Sequence, residues 1–467
     1  MDLLAILSTG AASLSAQRAA AAVASHNLQN ASTPGYARQR ANLEAVVPAD
    51  LVGGGWVGRG VRLASVSQVR DRFLEAQIPA SLGGASRSAA EADALEAVSA
   101  LDPQATGNLA DALSGFYASM RALAQNAGSA QLRQAAVSSS KALALAFQRT
   151  AGSLEQARTG LDARIRGVAG EVNGLAARVA KLNGDVRAAR ASGAEPNDLL
   201  DARQAALDRL AELVGAVPVA DANGDVNVTL GGGAAIVTGG LAGSLSVAAD
   251  PANGGHLAVR VALPGSASAA ALAPSALGGS MGGALDARDG TLATAASRVD
   301  QLAFDVAGAA NGVHRGGYGL DGVAGRDLFD AGASAAGAAS RIAVAAAVAA
   351  DPRALAAAGS AAALPGDASA LQALVATESQ ALTGGLSAAA ALSDLTAQFG
   401  AASQRARAAA DKDAALRDHL SSLREGASGV SIDEELIEMQ KAQRAYEAIA
   451  KVIQTSSDML ATLMNLR

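Results

Sequence analysis

Three stretches of the chain place residue types at spacings that chemistry uses. Gly53-Gly54-Gly55-Trp56-Val57-Gly58 fits the G-x-G-x-x-G pattern that lets a helix N-terminus approach a dinucleotide pyrophosphate. That use needs a strand before it, a helix after it and an acidic residue about 20 positions on. Val61, Leu63 and Val66 come next among polar residues and read as strand or loop, so a glycine-rich hairpin is expected instead. Gly278-Gly279-Ser280-Met281-Gly282 fits a nucleophile elbow, with His314 downstream, but its lead-in Pro274-Ser275-Ala276 offers no apolar strand to aim the serine. Asp221, Asn223 and Asp225 resemble the opening of a calcium loop. The glycine precedes Asp225 and no glutamate stands at the twelfth position, so an Asn-Gly turn is expected. His26, His256, His314 and His419 are isolated and lack metal-ligand spacing. No catalytic residue, cofactor or metal is assigned, and the chain reads as a non-enzyme.

The elements that would position any site are helical. Half of the 467 residues are hydrophobic yet only 2% are aromatic, so the apolar fraction is small side chains suited to slim, closely packed helices. With 51 glycines and 11 prolines, long helices broken by loops are expected. The net charge of −6, without a Lys/Arg stripe, argues against nucleic acid as partner. The lack of cysteine excludes disulfides and thiolate-bound metal. The longest apolar run, Ile342 to Ala350, is far short of the roughly 20 residues a bilayer needs, so no membrane insertion is expected. The start imitates a signal peptide over Leu3–Leu7 but carries Asp2 in place of a positive leader, so export without a cleaved signal is expected.

Leu154, Leu161, Val168, Leu175 and Leu182 fall seven apart, with Ile165, Val172, Val179 and Val186 between them. This is a coiled-coil seam that predicts a rod of roughly 50 Å. Gly193 and Pro196 stop it, Asn197 or Asp198 can cap the next helix, and Leu200, Leu207, Leu210 and Val214 give that helix an antiparallel face. Residues 89–145 are helical in composition. The period then changes to two at Val226, Val228 and Leu230, and at Leu257, Val259, Val261 and Leu263, with turns at Asn223-Gly224 and Asn253-Gly254-Gly255. Helix returns at Val299, Leu302 and Val306 and again over 371–423, and the Ala-rich tract 331–365 reads as loops around short helices.

The two chain ends carry their own stripes. Leu7, Leu14, Ala21 and Leu28 are heptad-spaced, and Ile432, Met439, Tyr446, Ile453 and Leu460 repeat every seven beside Leu436. Neither helix can bury its stripe alone, so the ends are expected to pack together or on neighbouring copies. Leu7, Leu14, Leu28, Ile432, Leu436, Met439, Tyr446, Ile453 and Leu460 are the expected assembly residues. The fold class expected is mainly α: a long helical bundle of both ends and the central helices, with a small β-rich insert. The domains expected are 1–65 with 425–467, 66–215 with 281–424, and 216–280.

Between the first helix and the next strands lies Ser25 to Gln39, SHNLQNASTPGYARQ. Asparagine tolerates a left-handed helix end, proline stops a helix, and glycine takes the φ a turn requires. Asn27, Asn30, Thr33, Pro34, Gly35 and Tyr36 stand where flagellar rod, hook and hook-associated proteins carry their shared signature, with His26 and Leu28 in place of the usual Asn and Ile. Four further stretches are similar to the hook-associated protein 1 (FlgK) family: Tyr36-Ala37-Arg38-Gln39, Gly54–Val61, Pro196–Leu210 and Ser428–Arg467. Gly316 to Phe329 also resembles a loop of that family. The likeness is weakest over 331–370, where family members often carry a larger β-rich domain.

The resemblance implies a structural subunit at the hook–filament junction, outside the cell, exported through the flagellar apparatus. It implies a ring of copies of itself, with the hook protein on one side, the second junction protein on the other and an export chaperone beforehand. Another axial protein, of hook or distal rod, would share the signature but lack the Pro196–Leu210 run. A secreted coiled-coil adaptor or adhesin would need no such turn.

Overall fold

The computed structural model describes residues 3–465 apart from 34, 48, 52–54, 99, 100, 102–106 and 194. The chain opens with α1 (Leu3–Gln29), whose end leads into a ribbon of β1 (Gln39–Ala45), β2 (Ala49–Leu51), β3 (Gly55–Val57) and β4 (Val61–Gln68). β1 pairs antiparallel with β4, and β2 with β3. The glycine-rich stretch is therefore a hairpin where it is described, Gly53 and Gly54 lying outside the described residues. Ribbon and helix touch closely: Ser13 Oγ of α1 accepts from the Val61 N–H at 3.1 Å. A Cβ on Gly60, at φ +76°, would fall 2.3 Å from that oxygen.

Asp71 caps α2 (Arg72–Glu96), and Asn108 caps α3 (Leu109–Gln125), each by a side-chain oxygen on first-turn N–H groups. Next comes α4 (Ala130–Ala191), 62 residues and so about 93 Å long. It begins well before the predicted seam because the seam continues through Ala136, Ser140, Leu143, Phe147 and Thr150, all buried. Alanine, serine and threonine keep the spacing while hiding it from a search for large apolar residues. Phe116 and Met120 of α3 are fully buried with Phe147 in the same core.

After Gly193 the chain turns back as α5 (Asn197–Val214), which buries Leu207, Leu210 and Val214. Neither Asn197 nor Asp198 caps it. Pro196 holds the cap position without a side-chain bond, and both side chains reach the ribbon instead. The period-two region forms two small sheets, β5 (Val217–Ala220), β6 (Val226–Thr229), β7 (Ala235–Thr238) and β8 (Leu241–Ala242), then β9 (Ser244–Ala249), β10 (Leu257–Ala262) and β11 (Ala269–Ala271). Val226, Val228, Leu257, Val259 and Val261 turn inward as their alternation predicts, but β10 ends at Ala262 and leaves Leu263 exposed. Two α4 asparagines pin one sheet each. Asn183 donates to Val226 and Gly239 carbonyls and accepts from the Val226 N–H; Asn173 donates to the Leu245 carbonyl and accepts from its N–H at 2.7 Å.

Helix returns as α6 (Gly279–Leu285), which runs through a π turn at Asp286–Leu292 into α7 (Ala293–His314). The π turn points Arg288 inward to pair with Asp162 of α4 and with Asp289. Asp162 also accepts from His256 and from the Leu257 N–H, which ties the second sheet to the same point. β12 (Phe329–Asp330) precedes the Ala-rich tract, which packs as α8 (Ala338–Arg341), β13 (Ala343–Val344) and α9 (Ala346–Ala350); the short helices are as predicted, whereas the pairing of β12 with β13 is not. Beyond α10 (Ser369–Ala376), Ser387 caps α11 (Ala388–Ser428), which runs antiparallel along α2, and α12 (Ile432–Asn465) ends the described chain.

His314 closes this core. Its Nδ1–H donates to the Arg326 carbonyl at 2.7 Å and its Nε2 accepts from the Ala356 N–H at 3.0 Å. Both nitrogens are used by the neutral ring, and burial holds its pKa below the usual 6.5. A folded-state pKa depressed in this way makes protonation easier in the unfolded chain, so stability is lost as pH falls below about 6.5. Thermal melts between pH 7.5 and 5.5 are expected to show that loss, and His314→Gln to flatten it. An unchanged slope in the variant would show that other groups set it.

Candidate assembly interface and its polar clasp

Small residues let α1 and α12 approach. Ala16 and Ala24 of α1 and Ala442 and Ser456 of α12 are buried, and a Cβ on Gly10 would fall 2.7 Å from Ile453. The predicted assembly residues divide. Leu7, Leu14, Leu28, Met439, Ile453 and Leu460 are half-buried, whereas Ile432, Leu436 and Tyr446 are exposed. A strict seven-residue repeat drifts about 20° per heptad around a straight helix. The Ile432–Leu460 row therefore runs along the edge of the α1 contact, with Met439, Ile453 and Leu460 half-buried and Ile432 and Tyr446 exposed.

A second row lies outside the heptad pattern. Ile437, Val452, Met459 and Leu463 are each more than half exposed. At about 100° per residue they lie on the opposite side of the α1 contact from Ile432, Leu436 and Tyr446. Thus α12 shows one face to α1 and an open apolar flank on either side of it. Asp433, Gln440, Arg444, Lys451 and Asp458 occupy the remaining, polar sector.

At the N-terminal end of α12 three distant stretches meet. Asn27 is buried at the end of α1. Its Nδ2 donates to the Gln39 carbonyl at 2.8 Å and to Glu435 Oε2 at 3.0 Å, and its Oδ1 accepts from the Tyr36 hydroxyl at 2.7 Å and the Gln39 N–H at 2.9 Å. Both amide hydrogens and both lone pairs of its side chain are thereby engaged. Arg38 donates to Glu435 at 2.6 Å and to Glu434 at 2.8 Å. Glu435 is only 2% exposed, so its charge is held by Asn27 and Arg38 rather than by water. From α5, Asp198 accepts from Gln39 Nε2 at 3.1 Å, and Asn197 donates to the Val66 carbonyl at 3.0 Å. Gln68 donates to the Asn197 carbonyl at 2.8 Å.

The signature turn follows from its residues. Asn30 closes the helix by donating to the His26 carbonyl at 3.0 Å, and Thr33 N–H bonds the Asn30 carbonyl. No described non-glycine residue has positive φ, so the left-handed helix end expected of asparagine is not used. Gly35 alone in this turn takes the left-handed conformation, at φ +79°, as the turn was predicted to need. Pro34 lies outside the described residues.

Electrostatically the clasp is rich in carboxylates. Burial first, then Asp201, Asp198 and Glu435, raise the Tyr36 hydroxyl above its ordinary pKa, which keeps it a neutral donor. Asp201 is raised by burial although Arg70 pairs with it. Beneath it, Arg424 of α11 binds Glu75 and Asp208 at 3.0 Å each, so α2, α5 and α11 join one ionic cluster.

The chemistry-like motifs are occupied otherwise. A 3-10 turn, Pro274–Ala276, leads into Ser280, and Gly278 and Gly279 press against the end of α5, where a side chain would strike the Glu212 carbonyl. His314 spends both ring nitrogens on backbone groups. Asp221 Oδ1 accepts from the N–H groups of Asn223 and Asp225, making the expected turn, and Asp225 pairs with Arg187 at 2.8 Å. Among the described residues, no three His, Asp or Glu are placed to hold a metal, and no helix is long and apolar enough to cross a membrane.

Sequence-family models match two segments. Residues 95–329 match the flagellar hook-associated protein FlgK helical domain, and residues 426–466 match the flagellar basal body rod FlgEFG protein C-terminal region. Flagellar hook-associated protein 1 of Escherichia coli K12 is 28% identical over 70% of this chain and 60% of its own length. That of Salmonella typhimurium LT2 is 30% identical over 68% and 58%. The chain thus spans about three fifths of those two relatives. The Bacillus subtilis 168 protein of the same name is 28% identical over 98% of this chain and 97% of its own. The solved flagellar hook junction protein FlgK of Burkholderia pseudomallei is similar over 56% of this chain and 47% of that one, with 26% identity and a TM-score of 0.50.

Proposed function

The chain belongs to the FlgK family of flagellar hook-associated proteins, and from that premise we propose that it is a structural subunit joining hook to filament, assembled through α1 and α12. The observation that carries this reading is the pair of open apolar flanks on α12, one on each side of its contact with α1. Two non-equivalent faces on one helix suit a heterologous contact that repeats from copy to copy and closes only around a ring. The family match over 95–329 sets it apart from a rod protein, since the rod-type match is confined to the terminal helix.

On this reading residues 1–65 and 425–467 form the inner layer, 66–215 and 281–424 the middle one, and 216–280 the outward insert. Neighbouring copies cover Leu7, Leu14, Leu28, Ile432, Leu436, Met439, Tyr446, Ile453 and Leu460 between them. The hook protein lies on one side and the second junction protein on the other, outside the cell. Before export, a chaperone shields the stripe around Met439, Tyr446 and Ile453. The subunit transforms no substrate.

A deletion strain tests the role and a variant tests the surface. Deletion is expected to leave bare hooks and to shed filament protein into the medium. The unaltered gene is expected to restore filaments, and the pair Ile437→Asp and Val452→Asp to fail, since a carboxylate on an apolar interface loses more than about 2 kcal/mol per site. Normal filaments in the deletion strain would remove the junction role. Filaments restored by the aspartate pair would remove the second flank from the interface.

A further inference from the structure

Five asparagines in this chain are followed directly by glycine: Asn173, Asn183, Asn223, Asn253 and Asn311. Asparagine is thermolabile. A following glycine makes it more so, because no Cβ shields the glycine nitrogen from the neighbouring side-chain amide. In an unfolded chain the five pairs are chemically alike. The fold makes them unlike.

Three lie inside helices, Asn173 and Asn183 in α4 and Asn311 in α7, where the glycine N–H is spent on the helix ladder. Their side chains are fastened at both polar atoms. Asn173 and Asn183 each hold a sheet. Asn311 donates to the Phe329 carbonyl at 2.7 Å and accepts from the Leu328 and Phe329 N–H groups. Asn253 stands in the turn before β10, but it donates to Asp289 at 2.8 Å and accepts from Arg158 at 3.3 Å. Asn223, in the turn between β5 and β6, is exposed, and its side chain makes no hydrogen bond among the described residues. Gly224 follows at φ +82°, its N–H bonded to the Asp221 carbonyl at 3.1 Å. The Arg190 guanidinium lies where a Cβ on this glycine would stand. A cation there favours the deprotonated, attacking form of the nitrogen.

We propose that Asn223 is a site of spontaneous deamidation in the folded protein, and that the fold protects the other four asparagines. The Gly224 nitrogen gives its proton to water and bonds to Asn223 Cγ. Nδ2 takes a proton back and leaves as ammonia, which closes a five-membered imide. Water then opens the ring at either carbonyl and leaves aspartate or isoaspartate at 223. One water is consumed, one ammonia is released and one negative charge is gained. Arg187, Arg190 and Arg203 face this turn against the carboxylates of Asp221 and Asp225, so the new charge has cations beside it. No contact of the fold depends on the Asn223 amide. Converted chains therefore stay folded and accumulate, and the converted fraction records the age of the molecule. Conversion of Asn183 would instead break the link between α4 and the first sheet.

Peptide mapping by mass spectrometry tests this, reading the amide-to-acid mass gain at each of the five sites after storage in warm, mildly alkaline buffer. In the folded full chain Asn223 is expected to convert roughly tenfold or more faster than any other, since each of those must first lose two side-chain hydrogen bonds. In urea the five are expected to convert at similar rates. Arg190→Gln is expected to slow Asn223 about threefold, the effect of one charge at close range in a wet site. Folded protein in which Asn223 is as slow as the other four overturns the site. An unfolded chain in which Asn223 still leads overturns the fold as the selector. Conversion at the parental rate in Arg190→Gln overturns the part given to the arginine.

Discussion

Glu435→Ala is expected to weaken the docking of α12 by about 3 kcal/mol, while Glu434→Ala, one residue earlier, changes it by less than about 0.5 kcal/mol. The two carboxylates bind the same arginine. Glu434 keeps 62% of its side chain in solvent, where a pair with Arg38 is screened and its loss is replaced by water. Glu435 keeps 3%, and its removal strands one donor of the buried Asn27 and the Nε–H of Arg38. Arg38 retains Glu434, which limits the loss. Glu435→Gln leaves an oxygen for one of the two donors and is expected to fall between. Hydrogen exchange along α12 is the measurement, because it reads local opening separately from the rest of the fold. Equal exchange in the Glu434 and Glu435 variants would mean that the clasp does not hold the helix.

The second large effect lies in the body. Gly283→Ala is expected to cost about 3 kcal/mol or more, since its new Cβ would stand 2.0 Å from the Arg87 carbonyl oxygen of α2. That oxygen belongs to helix backbone and cannot rotate away, so α2 and α6 must part. Ser81, Gly83, Ala85, Ser88 and Ala90 show how small a surface α2 presents along its buried face. Gly174→Ala on α4 is the control. Nothing lies within 4 Å of its Cβ position, and replacing a helical glycine there is expected to add up to about 1 kcal/mol. Urea melts of the two variants are expected to move in opposite directions. A Gly283→Ala protein within about 1 kcal/mol of the parent would show that the α2–α6 crossing yields.

Legibility in the sequence tracks the range of the interaction. The α4 seam from Leu154 to Val186, the alternation in β6 and β10 and the glycine turn at 35 can all be read from the chain, because each depends on neighbours within a turn or two. The early part of α4 is not legible, since its seam is kept by Ala136, Ser140 and Thr150, whose types do not announce burial. The second α12 flank is hidden because its members do not keep a strict seven. Asn197 and Asp198 mislead for a similar reason: type and position fit a helix start, and nothing local reveals that the ribbon base lies alongside.

The residues of the clasp, Val66 and Gln68 apart, lie in short runs that resemble one protein family. Their meeting is not visible there. Asn27 and Glu435 are 408 positions apart, and Gln39 and Asp198 are 159 apart. Periodicity tells which face of a helix is apolar, because that follows from 3.6 residues per turn alone. Which part of that face is covered by its own chain and which is left for a neighbour depends on where α1 lies against α12. That placement is set by the close approach at Gly10 and by a buried carboxylate finding its donors, and both exist only once the ends of the chain have come together.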